Sequence, residues 1–582
     1  MSLEDFSYFP PRGGVTRPKH PRSHLKIVLA EKVSPATLAV LQQEPGWNVV
    51  TPDQIKNGLA AELADADALV VRSAVQADAE LLSHAPKLRV IGRAGVGVDN
   101  IDTDAATRQG IVVMNTPGAN AVAVAELTLG LMISMARSIP RANATMHAGK
   151  WDKKSLQGQE LRGKTLGIVG LGRIGLEVAR RARAFGMTLI GYDPFISPVI
   201  ARENEVTLVP IDEIFKSSDY LTLHVGLTTQ TEGLINATSL AIMKKGVRII
   251  NCARGELIVE AALADAIKSG HVAGAALDVF HQEPLKESIF HNLDGVMLSP
   301  HIAGATDEAQ EAIGIQLANQ VRDYLKLGVV QNAVNVSSLT EEEYADVAPY
   351  IEMANRLGQL LGHAAGTGST AESEAKASVP GSIESISITY NGRLASLKTD
   401  LIRNAAIAGV LHGADGVNRI NAVSAAAERG IRVQEDKREH ITGGSGATLR
   451  LSLRWSRKGA TGDDAQGDWT GLATVLHGHS PRLLNYDGID VEAELAGTLI
   501  VIRNQDVPGV IGRIGTILGD HGLNIANFAL GRSVHSQRVP QGQALAVVQV
   551  DVPNAAAAAP AIEALRKVEA IASVRLIELG KL

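Results

Sequence analysis

Residues 164–193 read KTLGIVGLGRIGLEVARRARAFGMTLIGYD, which spells strand, turn, helix and strand in that order. The apolar run Leu166–Val169 leads directly into Gly170, Gly172 and Gly175, a G-x-G-x-x-G spacing. In such a turn the first glycine permits the sharp reversal, the second lets a pyrophosphate reach the backbone, and the third lets helix and strand approach closely. A helix opening at Arg173 and Ile174 offers unpaired N–H groups and its positive dipole end to that pyrophosphate, and Gly186 ends it. The next strand, Thr188–Tyr192, finishes at Asp193. A carboxylate there accepts ribose hydroxyls and repels a 2′-phosphate, so the unit is expected to bind NAD rather than NADP. A glycine-rich turn alone marks only a structural βα turn, but here the strand, the helix and the acid are all in place.

Around this unit lie 582 residues, enough for about three to five domains. A net charge of −6 gives no electrostatic case for nucleic acid or an anionic membrane. The single cysteine, Cys252, rules out an intrachain disulfide framework and suits a reducing cytoplasm. Residues 1–24, rich in proline and charge, read as a disordered tail and as neither a signal peptide nor an anchor. The longest apolar run, 121–136, is short for a membrane span and contains Glu126.

Alternating strands and helices place one α/β unit over 25–119 and 302–335, with the dinucleotide unit, 120–301, inserted in it. The helix Thr306–Leu327 is expected to cross back to the first unit. An α+β unit follows over 336–494, with a helix around Tyr350–Leu361, a flexible loop over 366–378 and helices Thr399–Leu411 and Asn418–Glu428. The last unit, 495–582, shows a ferredoxin-like β-α-β-β-α-β pattern whose second helix is expected over Ala555–Val568.

Three polar residues fall just past apolar strands, where open parallel sheets bind ligands. Arg254 follows RIINCA and can hold a carboxylate through two parallel hydrogen bonds. Glu283 lies in HQEP, and His301 closes MLSPH. A histidine beside a carboxylate is an acid/base pair suited to moving a hydroxyl proton. Taken singly, such a histidine is more often structural. His477 and His479 in HGHS have no further spaced ligands, so no metal is expected.

The set RAGVGVDNID (93–102), NTPGANAVAVAEL (115–127), VGLGRIG (169–175), NCARGE (251–256), GAALDVFHQEP (274–284) and SPHIAGAT (299–306) resembles the D-isomer-specific 2-hydroxyacid dehydrogenases. The resemblance implies a Rossmann-type nucleotide domain within a flavodoxin-like substrate domain. It also implies Arg254 as substrate anchor, His301 as acid/base and Glu283 as its orienting partner, with Ala253 and Asp278 on the cofactor side. Within that family the chain resembles the long members that oxidise D-3-phosphoglycerate to 3-phosphohydroxypyruvate and open L-serine biosynthesis. In these, Arg72 and Ser73 of VVRSA would meet the substrate phosphate, backed by Asn120, while the backbone of Ala94, Gly95 and Val96 would meet the carboxylate. HGHSPRLLNYDGIDVEA (477–493) resembles their intervening, allosteric-substrate-binding-like domain, and the last unit resembles an ACT domain. Such an ACT unit implies L-serine as effector, held by Asn504, Asp506, Asn524 and the helix opening at Pro508 and Gly509, in a homo-oligomer, dimer or tetramer. Gly226, Glu256 and Val259 depart from the family pattern but leave the acid/base pair and the anchor intact. Two other readings stay open: a dehydrogenase for another D-2-hydroxy acid such as glycerate, to which Arg72 would be useless, and a non-catalytic NAD-sensing protein.

Overall fold

The computed structural model describes residues 24–365, 382–414, 416–439, 446–456, 466–533, 542–552 and 554–580. The tail expected over 1–24, His24 apart, and the loop expected over 366–378 lie outside these residues.

Five apolar runs pair in parallel: β1 (Leu25–Leu29), β2 (Trp47–Val50), β3 (Ala68–Val71), β4 (Val90–Arg93) and β5 (Val112–Met114), in the order β2-β1-β3-β4-β5. This is the flavodoxin-like order. All four residues of β3 are buried, as suits a strand covered on both faces. The helix Asp307–Leu327 does return here, packing Ile313, Leu317 and Val321 with Ile27, Val70 and Val90.

Helix Ala121–Arg137 leads into the second parallel sheet: β6 (Thr165–Val169), β7 (Thr188–Tyr192), β8 (Thr207–Leu208), β9 (Tyr220–Leu223), β10 (Val247–Asn251), β11 (Val272–Leu277) and β12 (Val296–Leu298). The order β12-β11-β10-β9-β6-β7-β8 is the Rossmann order with one added strand, and it reverses direction between β6 and β9. Ligands bind beyond the carboxyl ends of strands at such a reversal. Among the described residues no single helix is long and apolar enough to cross a membrane. The bent pair Ala121–Arg137 and Ile139–His147 comes nearest, but Val124, Leu129, Leu131 and Met132 of its first helix belong to the nucleotide-sheet core.

Beyond Val336 come β13 (Ser382–Asn391), β14 (Arg432–Arg438), β15 (Thr448–Ser456), β16 (Gln466–Leu476), β17 (Ser480–Tyr486) and β18 (Ile489–Glu494), ordered β14-β13-β15-β16-β17-β18. Helices Glu341–Ala365 and Asp400–Val410 press Leu357, Leu361, Ile402 and Ile407 against Ile386, Leu451 and Leu453 of this sheet. The helix expected around 350–361 therefore runs 25 residues and keeps Pro349 within it. The helix expected from Asn418 starts only at Ala422, because Asn418 and Asn421 accept each other's backbone N–H and close a turn first. β14, RVQEDKR, lacks a strand pattern; its charges suit an exposed sheet edge.

The last unit is a ferredoxin-like sheet of β19 (Thr498–Gln505), β20 (Asn524–Arg532), β21 (Gln543–Asp551) and β22 (Ile571–Glu578), ordered β20-β21-β19-β22, with helices Val510–Asp520 and Ala559–Arg566. The second helix was expected from Ala555, but the chain first makes a 3-10 turn and becomes α-helical only at Ala559, where Pro560 fits the first turn. Ile500, Ile502 and Val548 lie in a core with these helices, whereas Leu499, Val501 and Val547 join the core of the preceding sheet. At that junction Trp469 of β16 has the guanidiniums of Arg503 and Arg575 at 5.2 and 5.0 Å from its ring. Arg575 also donates to the Ala364 carbonyl at the end of helix Glu341–Ala365.

Candidate active site

The turn after β6 has the expected build. Gly170 has φ 93, and a Cβ there would meet His224 O at 2.5 Å across the switch point. A Cβ on Gly175 would meet Gly170 O at 2.0 Å, while one on Gly172 would meet nothing within 4 Å. That open side, together with a helix Arg173–Ala184 whose start has no side-chain cap, fits a pyrophosphate. Asp193 accepts from Leu171 N–H and Phe195 N–H, both at 2.8 Å, and remains half-exposed for a ribose. Arg173 reaches over the preceding loop to Pro117 O, Ile174 packs into the sheet core, and Ala253 sits partly buried after β10. His224, after β9, is partly exposed but its Nδ1 is buried, and this burial pushes its pKa down to about 3.

The carboxyl ends of β10, β11 and β12 bring Arg254, Glu283 and His301 together. His301 Nδ1 lies 2.6 Å from Glu283 Oε2, and Phe280 N–H donates to Oε1 at 3.0 Å. Burial alone would push the Glu283 carboxyl up. The His301 ring, the Phe280 N–H and the Arg254 charge outweigh it and hold the group below the ordinary glutamate range. With the carboxylate as acceptor, Nδ1 carries the ring hydrogen and Nε2 is left for a substrate. Arg254 lies 3.2 Å from Asp99 and against the backbone of the first unit, where a Cβ on Gly97 would be 1.8 Å from its Nη2. Asn251 fixes the turn below it, donating to Arg254 O and accepting from Ala253 N–H. Gly255 makes the approach between the two loops: its Cβ would stand 2.0 Å from the Phe280 carbonyl carbon.

Asp278, expected at the cofactor, is 0% exposed. Its carboxylate accepts from Ser299 Oγ, Ile302 N–H and Ala303 N–H at 2.6, 3.0 and 2.8 Å, and its carbonyl accepts from His301 N–H. The structure thus shows it as the anchor of the His301 loop. At 94–96 the backbone leaves less for a substrate carboxylate than the resemblance implies. Ala94 N–H is spent on Val71 O, continuing the pairing of β4 with β3 by one residue, and Gly95 N–H turns back onto Arg93 O within the loop. Of the three, only Val96 N–H has no partner among the described residues.

Arg72 sits after β3, its guanidinium 3.3 Å from Lys32 O, with Ser73 exposed beside it. Asn120 lies against Gly304 in the His301 loop, and its buried Oδ1 has no partner among the described residues. One residue escaped the sequence reading: Arg93, at the end of β4, folds over Gly95 with its Nε buried and unpartnered among the described residues. Its pKa is pushed down by burial first and then by Arg254, with a smaller push from Arg72, so it belongs to the same cationic group. Its place at a carboxyl strand end was the available signal.

The effector positions do not converge within one chain. Asn504 is 3% exposed, its Nδ2 bonded only to Gln505 O and its Oδ1 unpartnered among the described residues. Asp506 pairs with Arg532 at 3.3 Å, and the helix after Gly509, φ 90, has no side-chain cap. Asn524 lies at the other end of the sheet, donating to Asp551; the register Asn504↔Ala544 against Asn524↔Asp551 separates them by seven residues of β21, roughly 20 Å. Among the described residues no group of three or more His, Cys, Asp or Glu could hold a metal ion.

Family models match three stretches: the D-isomer specific 2-hydroxyacid dehydrogenase NAD binding domain over 129–303, the D-3-phosphoglycerate dehydrogenase intervening domain over 346–458, and an ACT domain over 498–569. The D-3-phosphoglycerate dehydrogenase of Methanocaldococcus jannaschii is 38% identical over 560 residues, covering 95% of this chain and 100% of that protein. The chain belongs to the D-3-phosphoglycerate dehydrogenase family. The Bacillus subtilis member is 38% identical over 520 residues, 89% of this chain and 93% of its own. Among solved structures, a glyoxylate reductase from Paecilomyes thermophila aligns with 53% of this chain and 98% of its own, at 34% identity and a TM-score of 0.49. The nucleotide unit of this family is the NAD-binding one, and the turn 170–175 is built to receive that cofactor.

Proposed function

We propose that the protein oxidises D-3-phosphoglycerate to 3-phosphohydroxypyruvate with NAD, the first step of L-serine biosynthesis. The observation that carries this reading is the His301–Glu283 pair at 2.6 Å beside a group of three arginines, Arg72, Arg93 and Arg254. A substrate with a carboxylate at one end and a phosphate at the other uses all three charges. Arg254 and Val96 N–H hold the carboxylate, while Arg72 and Ser73, with Arg93 between them and Arg254, take the phosphate. His301 Nε2 accepts the hydroxyl proton, and the Glu283 carboxylate stabilises the imidazolium so formed. NAD, bound along 170–175 with its ribose at Asp193, supplies the hydride acceptor. The test is NAD reduction with D-3-phosphoglycerate, glycerate and D-lactate, on the native chain and on Arg72→Ala. Loss of one charge-assisted phosphate contact should cost about 2 kcal/mol with the phosphorylated substrate alone. Equal rates with glycerate, untouched by the substitution, would favour an unphosphorylated substrate.

We further propose a cytoplasmic homo-oligomer, dimer or tetramer, regulated by L-serine at its ACT units. Support comes from Trp151, 81% exposed after the helix pair 121–147, and from the side-chain Oδ1 of Asn504, without a partner among the described residues, beside Asp506. Because Asn524 is remote in its own chain, a site using all three positions takes Asn524 from a second chain. Calorimetry with L-serine on the native chain and on Asn524→Ala, together with sedimentation, tests both; absence of serine binding leaves the ACT unit without this effector.

A further inference from the structure

The carboxyl ends of β1, β3 and β4 are neighbours, and the residue that emerges beside Arg72 is an acid, Glu31. Its Oε1 accepts from Arg72 N–H at 2.8 Å and Val75 N–H at 3.1 Å, and its Oε2 from Ala74 N–H at 3.2 Å. From the other side Asn100, in the loop that carries Asp99, donates to Arg72 O at 3.0 Å and Val75 O at 2.6 Å. The 72–75 turn is thus a small anion-binding concavity of three backbone N–H groups, already filled by the chain's own carboxylate. We propose that Glu31 is a positioning residue, holding this turn so that Arg72 and Ser73 present their side chains to the phosphate end of the substrate. The inference rests on the functional reading above, in which those side chains take a phosphate. It adds a specificity consequence: three of the four N–H groups of the turn are committed to Glu31, so the phosphate is read by a guanidinium and a hydroxyl rather than by a backbone cradle.

Two variants of the full-length enzyme test it. Glu31→Gln keeps the shape but places an amide NH2 against an N–H donor, so KM for D-3-phosphoglycerate should rise about tenfold, the equivalent of one charge-assisted bond, while kcat and NAD affinity hold. Glu31→Ala empties the concavity, and acetate should refill it and return KM toward the native value, whereas chloride at equal ionic strength should not. Backbone amide exchange at 72, 74 and 75 should accelerate in both variants. An unchanged KM, a kcat that falls in step with it, a failure of acetate, or unchanged exchange would each overturn the proposal. If the native enzyme does not oxidise D-3-phosphoglycerate, the functional reading fails instead, and the exchange measurement still decides whether Glu31 holds the turn.

Discussion

His301 stands at φ 52, a left-handed conformation that costs a residue with a Cβ about 1–3 kcal/mol unless its surroundings enforce it. The buried Asp278 carboxylate, with donors from Ser299, Ile302 and Ala303, is what enforces it here. Asparagine tolerates that backbone, so His301→Asn should keep the loop, abolish turnover and leave NAD binding, followed by calorimetry, close to native. The neighbouring carboxylate makes a prediction of definite sign. Glu283 is held below the ordinary glutamate range and is therefore ionised throughout the working pH range, favouring imidazolium beside it. Removing the charge in Glu283→Gln takes away the counter-charge of the imidazolium formed when His301 accepts the hydroxyl proton, so kcat for oxidation should fall by about tenfold or more. A variant that keeps full activity would take Glu283 out of the mechanism.

The reacting loops work only because strand ends approach more closely than side chains ordinarily permit. Gly255→Ala would place a Cβ 2.0 Å from the Phe280 carbonyl carbon, where only backbone lies and little can yield. Such overpacking should cost about 1–3 kcal/mol in thermal unfolding and lower kcat/KM by pulling Arg254 away from Glu283; a variant with native stability and activity would contradict this account. This close contact also marks where reading the sequence stops. The strand–glycine–helix pattern at 164–193 and the polar residues that follow RIINCA and close MLSPH were legible because hydrophobic period and position suffice to place them. The partners of Asp278 lie 21 to 25 positions away, and those of Glu31 41 to 44, across sheet neighbours that no local pattern specifies. Likewise the resemblance placed the backbone of Ala94 and Gly95 at a ligand, but how far β4 stays paired with β3 is decided by register. Edge strand β14 was hidden by the charges that protect it.

Across the whole molecule the 25-residue helix Glu341–Ala365 spans the second half, and its middle carries a charge network. Glu352 accepts from Arg356 at 2.7 Å and from Arg419 at 3.0 Å, and Arg356, 5% exposed, also donates to Leu495 O and Gly580 O of the chain around the ACT unit. Burial pushes the Glu352 carboxyl up, but Arg419 and Arg356 bring it below the ordinary range. A depressed folded pKa adds stability above the unfolded value and loses it as pH falls through the folded one. Glu352→Gln should therefore lower stability at neutral pH by on the order of 1 kcal/mol, since a 41% exposed partner is screened by solvent. The difference from the native chain, measured by thermal melts, should close at pH values below about 4.3 and persist nowhere under the folded pKa. The same junction has an optical consequence. Trp469 is flanked by two guanidiniums that both belong to the ACT sheet, so its emission depends on how that sheet is seated. The chain carries its own fluorophore at the joint between the ACT sheet and the body, and a change in docking there would register as light.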